Sequence, residues 1–166
     1  MHTLFILGDS ISMHYGPRLR EELSPDFQVA RKGDERPEVR AGDLNRGSAV
    51  NGGDSAMVLA YLRRRLAEPD FQPDLLALNC GLHDIKTDPD TGDKQVPLDE
   101  YRENLGCILQ LARDRNLRLA WVRTTPVDDE RHNSRAAFHR HQADVERYNA
   151  VADELMEEAG VAVIDL

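Results

Sequence analysis

Cysteine is scarce in this chain. Cys80 and Cys107 are the only two in 166 residues, and they lack metal-ligand spacing. Both read as buried, reduced thiols, so neither a disulfide framework nor a zinc site is expected. Aromatic residues make up 5 % of the chain, and cationic side chains are the minority, 21 Lys and Arg against 30 Asp and Glu, for a net charge of −9. That balance argues against nucleic acid or an anionic membrane surface as the main partner. No stretch approaches the ~20 apolar residues of a membrane span. Met1-His2-Thr3 runs straight into a short apolar stretch without a leader pattern, so a cytoplasmic location is the expectation. The later glycines of a dinucleotide fingerprint are missing after Gly8-Asp9-Ser10-Ile11-Ser12, and His139 and His141 lack carboxylates at helical spacing. No cofactor and no metal is therefore expected.

With apolar residues at 40 % and charged residues at 31 %, the chain reads as one globular domain over residues 1–166 with a real core. Five short β-rich apolar runs stand out, at residues 4–7, 27–30, 75–79, 117–123 and 161–166. Helical periodicity fills the gaps at residues 12–23, 55–66, 98–113 and 138–159, with Gly16-Pro17 disturbing the first and Gly160 ending the last. Strands alternating with helices predict a parallel sheet covered on both faces, an α/β domain. Two polar segments, residues 31–45 and 87–97, read as loops of the length that lines clefts.

In such a sheet, ligands sit beyond the carboxyl ends of the strands, where the strand order reverses. The residues found there are Gly8-Asp9-Ser10 after the first run, Asn51-Gly52-Gly53-Asp54-Ser55 at the mouth of the second helix, and Asn79-Cys80-Gly81-Leu82-His83-Asp84 after the third. Thr124-Thr125-Pro126 follows the fourth. Ser10, at a strand-to-helix turn, is a candidate nucleophile. The paired glycines allow close backbone approach, and N–H groups at a helix start suit negative charge.

These clusters, in this order, resemble the SGNH (GDSL-type) hydrolases. The resemblance implies a three-layer α/β/α flavodoxin-like sandwich on a five-stranded parallel sheet. It also implies a serine esterase acting on carboxylic esters, including carbohydrate acetyl esters, with a small-molecule ester as its partner. Ser10 matches the family's nucleophile, and Gly53 the glycine whose N–H serves the oxyanion hole. His83 stands where the family usually carries an asparagine oxyanion donor. Its imidazole is open to three readings: oxyanion donor, general base or structural loop residue. Asp84 reads as a brace of that loop.

The family's Asp-x-x-His block, which supplies the base and its orienter after the fifth strand, has no counterpart before the sequence ends at Val163-Ile164-Asp165-Leu166. A longer natural chain carrying it is the expectation. The string Asp129-Glu130-Arg131-His132 follows the fourth run instead. It reads as a surface charge cluster, with a role for His132 over the cleft as the lesser alternative. His14 reads as solvent-facing, and His139 and His141 as part of a polar helix face. Two other functions remain open: a non-catalytic binding module of the same fold, and a phospho-acceptor receiver domain using Asp9, Asp84 and Thr124.

Overall fold

The structure is a computed structural model that describes residues 1–34 and 50–166. Strands β1 (His2–Leu7), β2 (Phe27–Arg31), β3 (Leu75–Leu78), β4 (Arg118–Val122) and β5 (Ala162–Ile164) form one sheet. Its order is β2-β1-β3-β4-β5, and every pairing is parallel. The helices are α1 (Ser10–Leu23), α2 (Ser55–Arg65), α3 (Leu98–Asp114), α4 (Asp129–Asn133) and α5 (Gln142–Ala159). The first crossover carries the chain outward to β2, and the next returns it past β1 to β3. Strand order therefore reverses between β1 and β3, and the cleft of this fold class opens there.

The apolar runs become strands because the sheet is covered on both faces. Phe5 and Leu7 point into the larger core cluster with Val58, Leu62, Leu76, Tyr101, Trp121 and Tyr148. Their neighbours Leu4 and Ile6 point the other way, against Tyr15, Leu19 and Leu23 of α1. Helices α2, α3 and α5 thus cover one face and α1 the other. Pro17 lies inside α1 without ending it, because that buried apolar stripe holds the helix on the sheet. β5 is different, since all three of its residues are exposed.

Each of three helices starts at an aspartate. Asp9, Asp54 and Asp128 accept the N–H groups of Ile11, Met57 and Arg131, so their carboxylates cap α1, α2 and α4. Gly160, left-handed at φ +66°, closes α5 as its position predicts. Several expectations need correction. α5 begins at Gln142, because residues 138–141 are drawn away by an antiparallel bridge between Thr87 and His139, with N–H···O distances of 2.9 Å both ways. The string 129–132 is a surface charge cluster as expected, carried on the short helix α4. Cys80 is buried, but Cys107 is exposed on the outer side of α3. The candidate loop at residues 31–45 lies outside the described residues from position 35 onward. No helix among the described residues is long and apolar enough to cross a membrane.

Candidate active site

The three sequence clusters at the strand ends are joined by hydrogen bonds. The Gly52 N–H donates to the Gly8 carbonyl at 2.8 Å, and the Asn79 N–H donates to Leu7 at 3.0 Å. A Cβ on Gly52 would lie 3.0 Å from that carbonyl oxygen, so the backbone can come this close only as glycine. The second and third clusters meet through Ser55, whose N–H donates to Asp84 Oδ1 at 2.9 Å, and through Asn51, whose Nδ2 lies 3.4 Å from His83 Nε2. Gly81 holds the third cluster in register. Its φ of +143° suits glycine, and a Cβ would fall 2.2 Å from Thr124 Oγ1, which donates to the Cys80 carbonyl. The segments carrying Ser10, Gly53 and His83 are therefore one connected structure at the β1–β3 switch point.

Ser10 is the first residue of α1 and is partly exposed. The first turn of a helix leaves its N–H groups without intrahelical partners. Here Ile11 N–H is taken by Asp9 Oδ1 and Ser12 N–H by the Asp9 carbonyl, whereas Ser10 N–H has no partner among the described residues. Its hydroxyl likewise has no hydrogen-bond partner among them. The Gly53 N–H is not free. It donates to Asn51 Oδ1 at 2.9 Å. An N–H can only donate, so the Asn51 atom facing Gly53 is the oxygen, and the amide nitrogen faces His83. That nitrogen is also a donor only, which makes His83 Nε2 the acceptor and puts the imidazole proton on Nδ1.

Charge in this wall is strongly biased by burial. Burial, aided by the Lys86 and Arg140 charges, holds His83 down at about 3, so its ring is neutral at physiological pH. Burial lifts Asp84 to about 7, against the pull of Ser55, and Asp54 adds to the rise. Asp9 is lifted to about 6 by burial, opposed by its cap bond to Ile11 and then by the Arg140 charge. Asp84 is fully buried and braces the start of α2, as its loop position suggested. That placement gives no support to a phospho-acceptor role. Thr124 is committed to Cys80 and Asn149.

The opposite side of the cleft is formed by residues 125–140. A cavity of about 840 Å³ opens there, with Ile11 and Leu82 on its near wall and Pro126, His132, Phe138 and Arg140 on its far wall. His132 reaches the cavity, its ring centroid 5.3 Å from that of Phe138 and its buried Nε2 without a partner among the described residues. Asp129 is not its orienter, because that carboxylate lies 3.0 Å from His141 Nδ1 and also accepts the Gln142 N–H. His139 and His141 are thus bridge and cap residues ahead of α5, not a helix face. His14 is exposed, as expected. Among the described residues there is no group of three or more His, Cys, Asp or Glu side chains that could hold a metal ion.

Two residues matter more than the sequence indicated. Asn51 orders both Gly53 and His83. Arg140, buried at 9 % exposure, donates from Nε to the Leu82 carbonyl at 2.6 Å.

The sequence profile of the GDSL-like lipase/acylhydrolase family matches residues 6–166. A search of curated proteins returns no significant match. Among solved structures, the lipase/acylhydrolase from Enterococcus faecalis superposes with a TM-score of 0.70 at 17 % identity, covering 100 % of this chain and 76 % of its own. An acetyl xylan esterase, AlAXEase, gives 0.68 at 16 % identity, covering 99 % and 77 %. The psychrotrophic esterase EstA from Pseudoalteromonas sp., in a structure inhibited by monoethylphosphonate, gives 0.65 at 15 % identity, covering 100 % and 78 %. At such identities the likeness speaks for the fold, a flavodoxin-like α/β sandwich.

Proposed function

The chain belongs to the GDSL-like lipase/acylhydrolase family, whose chemistry is ester hydrolysis, and from that premise we propose that Ser10 is the nucleophile of a serine esterase acting on short acyl esters of polar alcohols. One observation carries the reading. Hydrogen bonds tie the turn bearing Ser10 to the segments bearing Gly53 and His83, at the edge of a cavity that Ile11 and Leu82 line.

In this reading Ser10 Oγ attacks the ester carbonyl and loses its proton to a base, and the carbonyl oxygen becomes an oxyanion. Three donors meet that oxygen: the N–H of Ser10, the N–H of Gly53 and the Nδ1–H of His83. The Gly53 donor is held on Asn51 Oδ1 beforehand and exchanges to the stronger, charged acceptor. Burial makes His83 a poor proton acceptor, and its Nε2 already faces the Asn51 amide, so in this reading it serves as a donor and not as the base. His132 is not assigned the base step, because Asp129, the carboxylate that would orient it, is held by His141 and Gln142. A polar alcohol is favoured over a long lipid because the cavity wall beside Ser10 carries Lys86, Arg131, Arg135 and Arg140. The sandwich shared with an acetyl xylan esterase supports a carbohydrate ester within that class.

Nitrophenolate release from 4-nitrophenyl acetate tests the reading. Turnover should fall by roughly 10⁶-fold in Ser10→Ala, the scale of losing a catalytic serine. Equal turnover in the variant contradicts it.

A further inference from the structure

Buried charges are ordinarily paired, because removing an ion from water is costly unless a counter-charge or a full set of hydrogen bonds replaces the water. Arg140 departs from that rule. The residue is 9 % exposed, its guanidinium carbon lies 5.0 Å from the centre of the Phe138 ring, and Nε is committed to the Leu82 carbonyl, so only the terminal nitrogens reach the cavity. Its two terminal nitrogens have no partner among the described residues, and no carboxylate comes within ion-pair distance. Asp9 attracts it only from farther away.

The group faces the 840 Å³ cavity whose near wall is Ile11 and Leu82, the neighbours of Ser10 and His83. Arg131 and Arg135 line the same cavity, both exposed and neither ion-paired among the described residues. Among the described residues lining the cavity, Asp128 is the one acidic side chain, and its Oδ1 already caps α4. A rigid guanidinium with two adjacent free N–H edges is built to take a planar or tetrahedral oxyanion side-on. The volume is ample for a small ligand.

We propose that this cavity is an anion subsite. It receives a carboxylate or phosphate group carried by the ester substrate, which Arg140 grips while Arg131 and Arg135 attract it from solvent. The inference rests on the esterase reading of Ser10 for its substrate, but the binding it describes is measurable without turnover. An ester held at both Ser10 and Arg140 then carries its anionic group a short distance from the scissile bond, so specificity is set on the far wall and chemistry on the near one.

The test is calorimetric titration of the full chain with monoethyl succinate, with 2-acetoxyethyl phosphate and with neutral ethyl butyrate. At low salt at least one anionic ester should bind about tenfold tighter than the neutral one. The tighter of the two identifies carboxylate or phosphate as the natural group. Arg140→Gln should erase the preference, Arg140→Lys should restore part of it, and 0.5 M salt should weaken it. If Arg140→Gln does not fold, Arg131→Ala combined with Arg135→Ala, both at exposed positions, should still reduce the preference severalfold. Equal binding of all three esters overturns the proposal, as does a preference that survives both sets of substitutions. If an anionic preference is present but no ester is hydrolysed, the subsite stands and the esterase reading fails. If hydrolysis proceeds without a preference, the reverse holds.

Discussion

The two walls of the cleft handle their polar groups differently. On the strand-end wall, Asp9, Asn51, Asp84 and His83 are buried, and each is anchored by at least one bond to a backbone N–H or a neighbouring side chain, although Asp9 Oδ2 and Asp84 Oδ2 have no partner among the described residues. On the wall of residues 125–140, Arg131 and Arg135 face solvent, the terminal nitrogens of Arg140 have no partner among the described residues, and neither does the buried Nε2 of His132. A largely preset network suits transition-state charge, since little beyond the exchange of the Gly53 N–H from Asn51 has to reorganise when charge develops. Groups awaiting a partner suit recognition. The contrast matches the proposed division, with reaction on one wall and selection on the other.

The contrast breaks first at Ser10, where alanine should remove nearly all turnover. His83 comes next. His83→Ala should lower kcat by about 100-fold with little change in KM, the usual loss for one oxyanion donor, whereas His83→Asn should restore most of it. Steady-state kinetics read both. A ring held at about 3 also predicts no acid limb near pH 6 arising from His83, and a matching limb that disappears in His83→Asn would contradict its neutral role.

Asp84 tests how tightly the near wall is sealed. Its folded value of about 7 lies above the 3.8 of an unperturbed aspartate. Between those values the folded state keeps a proton that the unfolded chain has released. This group therefore lowers stability progressively as pH rises from 4 to 7, with the full cost above 7. Asp84→Asn should gain on the order of 2 kcal/mol relative to wild type at pH 8 and almost nothing at pH 4, read as the difference between denaturant melts. A constant difference across pH would mean the carboxylate is not desolvated as described. The smallest effect belongs to the far wall. His132→Gln should cost far less than the ~100-fold or more that a general base supplies. A loss of that size would move the base onto this wall and undo the division of labour.

Much of the scaffold was legible in the sequence. Runs such as Leu4-Phe5-Ile6-Leu7 are apolar at consecutive positions because the sheet buries both faces, and that pattern is local. The strand-end clusters were visible for the same reason, with glycine and polar residues collected where strands stop. Cys107 was misread because it lies on the outer side of α3, between the buried positions Leu105 and Ile108. Arg140 carried no local signal at all. Its place is fixed by pairing of the preceding residue, His139, with Thr87 and by its own bond to Leu82, contacts between positions far apart in the chain. Asn51 was visible as a letter beside Gly53, but which of its amide atoms faces His83 follows only from the donor at Gly53.

The most direct test of the account is covalent labelling of the protein with a fluorophosphonate, followed by intact mass and peptide mapping. A single phosphonyl adduct should form on Ser10 and disappear in Ser10→Ala. An adduct on any other residue, or a folded protein that takes up no label, would contradict it.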